Sequence, residues 1–137
     1  TIRILSGEKR RGETNKVDEW HLMGDWDEVK GKDVLIHDDI IDTGGTLLLA
    51  ASELFRGGAK SVTVVCTHGI FSHKERAAEE KFAESNIKVI VTDTVPRTDE
   101  YYAMHRKWLS VVPISSMLAE AIRRDIEGES IIEMNGE

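Results

Sequence analysis

The sequence predicts an α/β fold, a parallel sheet with helices, in one domain spanning residues 1–137. Three observations predict it. Short β-branched and apolar runs recur at 34–37, 61–67, 87–91 and 109–112. Helix-like stretches at 47–55 and 74–85 separate the first three runs, and strand, helix, strand, helix, strand is the order of a parallel sheet covered on both faces through right-handed crossovers. A chain of 137 residues with 40% hydrophobic content is long enough for one sizeable core. It shows no repeat, low-complexity tract or linker that would divide it.

Taken in order, residues 2–5 form a brief candidate strand. Residues 6–15 are polar and charged with two glycines, and read as a mobile loop. Residues 20–23 suggest another strand. Lys30-Gly31-Lys32-Asp33 is a turn signal, after which 34–37 reads as a buried strand. The clearest helix follows: Leu47, Leu48, Ala51, Leu54 and Phe55 fall on one face at helical spacing. Gly57-Gly58 ends it, since glycine accepts a left-handed helix terminus without steric cost. Residues 61–67 make a central strand. Residues 74–85 make a charged helix with Ala77, Ala78 and Phe82 as its thin apolar side. Strands at 87–91 and 109–112 follow. Ser115 or Ser116 can cap a last helix whose face is Leu118, Ala121, Ile122 and Ile126, and 131–134 suggest a short final strand.

Composition excludes some classes. The net charge is −7 and the only dense basic cluster is Lys9-Arg10-Arg11, so nucleic acid is set aside as a partner. No apolar stretch approaches the roughly 20 residues of a membrane helix, which sets aside a membrane. The single cysteine, Cys66, sits in an apolar run and reads as a buried core thiol. It cannot form an internal disulfide, which fits a reducing, cytoplasmic setting. The chain opens at Thr1 with no visible secretory leader, and 2–5 already reads as core. It is therefore expected to belong to something longer.

The chemistry concentrates at 34–46, VLIHDDIIDTGGT. In open parallel sheets ligands bind beyond the carboxyl ends of the strands. Here a strand runs into Asp38-Asp39, then two aliphatics, Asp42, and Thr43-Gly44-Gly45-Thr46 opening a helix. Four N–H groups at a helix start lack intrahelical acceptors, and the helix dipole favours an anion there. Two glycines let the backbone close around a phosphate, Thr43 and Thr46 add hydroxyl donors, and Thr46 can cap the helix. Adjacent carboxylates repel unless a donor or cation lies between them; a sugar diol or Mg²⁺ supplies either. A sugar phosphate is thus the expected ligand. No Gly-x4-Gly-Lys-Ser/Thr loop and no Gly-x-Gly-x-x-Gly fingerprint is present.

VLIHDDIIDTGGT resembles the signature of the type I phosphoribosyltransferase fold, and so implies a three-layer domain that lacks its N-terminal portion. More of the chain is similar to one branch, ribose-phosphate pyrophosphokinase: EKRR at 8–11, THGIFS at 67–72, VTDTVP at 91–96 and MLAEAIRR…GES at 117–130. The resemblance implies Mg²⁺-dependent diphosphoryl transfer from ATP to ribose 5-phosphate, giving 5-phosphoribosyl 1-diphosphate and AMP for nucleotide biosynthesis. It places Asp42, Thr43, Gly44, Gly45 and Thr46 at the 5-phosphate, and Asp38 and Asp39 at the ribose hydroxyls and Mg²⁺, directly or through water. Lys9 and Arg11 match a flexible-loop pair near the ATP phosphates; such a loop can neutralise charge and exclude water on closing. His68, after a strand, is a candidate for the nucleotide pocket. His37 reads as packing, while Trp20, Trp26 and Trp108 are open between core and interface.

The chain departs from the pattern at Trp26-Asp27-Glu28, which reads as an insertion, and at His73, where the family often has glycine. The family's N-terminal domain supplies most of the adenine site, a metal-binding histidine and many subunit contacts. Its absence implies a homo-oligomer only for the full-length enzyme, and poor binding and no turnover for this chain alone. The alternatives are a phosphoribosyltransferase acting on a nucleobase and a non-catalytic regulatory homologue.

Overall fold

Four parallel strands in the order β3-β4-β5-β6 carry the fold: β3 (Asp33–Ile41), β4 (Ser61–Gly69), β5 (Ile87–Thr92) and β6 (Leu109–Val112). The computed structural model describes residues 4–10, 19–72 and 77–135, with the side chains of 9, 10 and 135 outside the description. Ahead of the sheet, β1 (Ser6–Arg10) and β2 (Glu19–Met23) pair as a separate antiparallel ribbon.

Each crossover leads to the next strand along. Right-handed connections in a constant direction put their helices on one face. The helices are α1 (Gly45–Arg56), α2 (Ala77–Glu84) and α3 (Asp99–His105). Register agrees with that placement. Val62, Val64 and Cys66 pair with Ile87, Val89 and Val91, and Val89 pairs with Leu109. All of these are buried, in one cluster with Leu47, Ala51 and Leu54 of α1 and Ala78 and Phe82 of α2. On the other face Val65 and Ile90 are only half-buried, while Leu35 and Val112 remain 62% and 49% exposed.

Three aromatic rings close the packed face. Phe82 stacks on Trp108 with centroids 5.4 Å apart, and Phe71 meets Trp108 edge-on at 5.8 Å. Such pairs add about 0.5–1.5 kcal/mol each beyond the area they bury. Trp108 is therefore core. Trp20 is half-buried, facing Lys9 in register, and Trp26 lies over Gly57, where a Cβ would meet its ring at 2.2 Å.

Several expectations are corrected. Residues 6–10, read as loop, are strand, and the described part of 2–5 is not. A two-stranded ribbon can be held by backbone pairing and one covering ring, here Trp20 over Gly7, with little apolar alternation to betray it. Strand β3 runs four residues past His37, because β4 pairs with it as far as Gly69. His37 is exposed rather than packed. Helix α1 ends near Gly57 as expected, but Gly58 takes the positive φ, at 93°.

Of the charged helix expected at 74–85, residues 77–84 are helical and Ser85 is not, while Lys74, like His73, lies outside the described residues. Its Glu79 is buried, with the Tyr101 hydroxyl donating to it at 3.1 Å. Helix α4 (Ser115–Glu127) has no serine cap. Its Ile114 N–H is bound instead by Asp93 at the end of β5, at 3.0 Å. The expected face of α4 is exposed at Leu118, Ile122 and Ile126. Residues 132–135 form a 3-10 turn rather than a strand.

Candidate active site

The acid pair lies inside β3, not after it. From Asp33 to Asp38 the strand alternates exposed and half-buried positions; Asp38 is half-buried, while Asp39 and Ile40 are both exposed. The alternation breaks there, and Ile41 is buried in the core. Asp38 accepts a hydrogen bond from the Asp39 N–H at 3.0 Å, which fixes one carboxylate oxygen beside the backbone. The pair stands at the carboxyl end of an edge strand, where an α/β sheet offers its ligand crevice.

Asp42 is differently engaged. Its Oδ1 accepts from the Ser72 N–H at 2.9 Å and the Ser72 hydroxyl at 2.6 Å. The Ile41 carbonyl accepts from the N–H groups of Ile70 and Phe71. Asp42 thus ties the turn after β3 to the turn after β4. Ser72 was unmarked in the sequence except as part of THGIFS, and nothing local signalled this tie.

The turn itself explains its two glycines in different ways. Gly44 is the N-cap of α1, at φ 69° and ψ 1°. A Cβ there would meet the Phe82 ring at 2.5 Å, so conformation and packing both demand glycine. Gly45 has no such demand. Its φ is ordinary, and a Cβ would meet only the Thr43 hydroxyl at 3.9 Å, an ordinary contact.

Thr43, Gly45 and Thr46 are all exposed. No side chain caps α1, so Thr46 does not take the capping role expected of it. No acidic residue stands in the first turn. The first intrahelical bond runs from the Leu48 N–H to the Gly44 carbonyl at 2.9 Å. The N–H groups before it present positive partial charge beside open space, an arrangement suited to a phosphate.

Mg²⁺ can be tested against the donor set. Among the described residues no group of three or more His, Cys, Asp or Glu side chains gathers as a metal cluster. Two adjacent carboxylates suit a small hard cation that keeps several waters and takes its remaining oxygens from substrate. Asp38 and Asp39 fit Mg²⁺ in that manner.

The other marked residues are more dispersed. Lys9 lies on β1, opposite Trp20, with its side chain outside the description; Arg11 lies outside the described residues altogether. His68, expected after a strand, lies inside β4 one residue from its end, beside Ile40 at the same sheet edge as the acids, and its Nδ1 is 2.8 Å from the Thr94 hydroxyl. Cys66 is buried as expected, and burial, before any charge effect, pushes its thiol pKa up. That makes it a poor nucleophile.

The profile of the phosphoribosyl synthetase-associated domain matches residues 5–135. The chain is 42% identical over 127 residues to a ribose-phosphate pyrophosphokinase of Pasteurella multocida, covering 93% of this chain and 38% of that protein. It is 44% identical over 124 residues to a ribose-phosphate pyrophosphokinase of Aquifex aeolicus, covering 90% of this chain and 37% of that protein. A phosphoribosylpyrophosphate synthetase structure from Mycobacterium smegmatis superposes with a TM-score of 0.65 at 37% identity, over 84% of this chain and 35% of that one. The chain thus spans less than two fifths of the length of these relatives.

Proposed function

Because the chain belongs to the phosphoribosyl synthetase-associated domain family, we propose that it forms the ribose 5-phosphate half of a ribose-phosphate diphosphokinase. The observation that carries this reading is the uncapped, acid-free start of α1 beside an acid pair. The N–H groups before Leu48, with the hydroxyls of Thr43 and Thr46, hold the 5-phosphate. Gly45 leaves the room that a phosphate needs. Asp38 and Asp39 accept from the ribose hydroxyls and hold Mg²⁺, which supplies charge neutralisation when bound.

Asp42, bound to Ser72, holds the phosphate turn in place rather than touching phosphate, which a carboxylate would repel. The anomeric hydroxyl of ribose 5-phosphate then attacks the β-phosphorus of ATP. The bond from that phosphorus to the α,β-bridging oxygen breaks, and AMP leaves. Lys9 and Arg11 neutralise the phosphate charge that develops, a role that rests on the family resemblance. Residues beyond this segment supply the adenine site and subunit contacts.

Release of AMP from ATP and ribose 5-phosphate, assayed with Mg²⁺ in the full-length protein, tests the reaction. Lys9→Ala should lower turnover by about 100-fold or more while sparing ribose 5-phosphate binding. Consumption of phosphoribosyl diphosphate with a nucleobase, and no AMP, would instead establish a transferase. Equal turnover in the Lys9 variant would remove that residue from the mechanism.

A further inference from the structure

We propose that Nε2 of His68, the ring nitrogen that Thr94 does not engage, accepts a hydrogen bond from a hydroxyl of the sugar whose phosphate sits at residues 43–46, a proposal that rests on the ribose 5-phosphate reading above. Hydrogen counting around the ring carries it. Nδ1 of His68 lies 2.8 Å from the Thr94 hydroxyl. That hydroxyl lies 3.1 Å from the Thr67 carbonyl and 3.0 Å from the Thr92 hydroxyl, and Thr92 is itself 2.7 Å from the Thr67 carbonyl.

A carbonyl cannot donate, and each hydroxyl has one hydrogen. The Thr92 hydrogen goes to Thr67. The Thr94 hydrogen goes to Thr67 or is shared with Thr92. None remains for His68, so Nδ1 carries the proton and donates to Thr94. The reverse choice would leave the Thr94 oxygen against two other oxygens with no hydrogen between them. With Nδ1 protonated, Nε2 of the neutral ring is an acceptor. The ring is half-buried, and Nε2 has no partner among the described residues.

An acceptor nitrogen selects a donor. Ionised phosphate oxygens donate nothing, whereas sugar hydroxyls do. Position favours the sugar as well. His68 is the register partner of Ile40, between the acid pair and Asp42. Cys66, two residues earlier on β4 and so on the same side of it, pairs with Asp38 and is close enough to feel the charge of both Asp38 and Asp39. Two carboxylates and a neutral imidazole, acceptors all, edge one end of the sheet. That set matches a polyol.

The competing role for His68 is structural, tying β4 to β5 through Thr94. His68→Asn separates the two, because the asparagine amide can replace Nδ1–H toward Thr94 while nothing replaces Nε2. Calorimetric titration with ribose 5-phosphate and with inorganic phosphate, each with Mg²⁺, reads the result. The variant should bind ribose 5-phosphate about tenfold more weakly and inorganic phosphate as before. Long-range ¹H–¹⁵N spectra of the unliganded chain should show His68 as the Nδ1–H tautomer, with its Nε2 signal moving when ribose 5-phosphate is added.

An Nε2–H tautomer, or unchanged ribose 5-phosphate affinity in His68→Asn, overturns the proposal. In a third titration, with ATP and Mg²⁺, loss of ATP affinity alone would assign the nitrogen to the nucleotide instead of the sugar, and also overturns it. If the wild-type chain binds inorganic phosphate but gains nothing from the sugar, the histidine proposal fails and the phosphate turn stands. If it binds neither, the reading of the turn fails too.

Discussion

Two strand-to-helix junctions share the carboxyl edge of the sheet, and they treat their helix starts in opposite ways. At β5–α3 the chain fills its own helix terminus. The Thr98 hydroxyl accepts from the Tyr101 N–H at 3.3 Å, and Asp99 and Glu100 put negative charge in the first turn. At β3–α1 a left-handed glycine makes the cap, with no side-chain bond and no acid in the first turn. One junction is satisfied from within the sequence. The other has no side-chain cap and no acid in its first turn, as the proposed phosphate site requires. What sets the proposed binding turn apart from the self-capped one is the missing cap as much as the glycines.

The contrast can be broken experimentally. Gly44→Ala should have the largest effect. Left-handed strain and the collision with Phe82 together should cost about 2–4 kcal/mol, read as a lowered urea midpoint. A loss under about 0.5 kcal/mol would mean that the junction is softer than its packing implies.

Thr98→Ala should cost about 1 kcal/mol in the same measurement and leave ribose 5-phosphate binding untouched. The Thr98 hydroxyl and the Glu100 backbone N–H also hold the Glu100 carboxyl below the usual range, the backbone bond being the larger cause. A carboxyl whose folded pKa is depressed adds stability above its unfolded value and loses it as pH falls through the folded one. The Glu100 resonance should therefore titrate below an ordinary glutamate, and Thr98→Ala should bring it back part of the way.

Gly45→Ala should change stability least, and in the opposite direction. Alanine at a compatible helical position gains about 0.4–1 kcal/mol. It should nonetheless weaken ribose 5-phosphate binding about tenfold or more, because the new methyl enters the space that the proposed reading gives to phosphate. Intact binding in that variant would remove the ligand as the reason for the second glycine.

Much of this is legible in the amino-acid sequence. The strands at 61–69, 87–92 and 109–112 announced themselves because buried parallel strands are nearly continuous runs of β-branched residues. Helix α1 showed its face because Leu47, Ala51 and Leu54 must meet the sheet. The acid-glycine turn was visible because its residue types are poor strand and helix formers gathered at one boundary. With the segments at 8–11, 67–72, 91–96 and 117–130 it implied the synthetase branch, and the chain belongs to the phosphoribosyl synthetase-associated domain family.

Other features were hidden for physical reasons. Aspartate is a poor strand former, so residues 38–41 of β3 looked like loop until their pairing with β4 was seen. The start of α3 carried a readable signal, Thr98 followed by two acids, but seven residues show too little periodicity to declare a helix. The bond from Asp42 to Ser72 spans thirty residues, and no local pattern encodes it. No side chain caps α4, and the N–H of its N-cap Ile114 is held by Asp93 just after β5, so the serines at the helix start misled.

The ring of Phe82 beneath Gly44 alters what this motif can report. Gly44 is required by the core whether or not anything binds above it. A descendant that had lost every ligand would still be under pressure to keep that glycine, merely to stay folded. Its presence in a sequence is a record of packing. Gly45, whose methyl the folded chain could accommodate, is the more informative letter. Where catalysis had lapsed, it is the position that would be free to drift first.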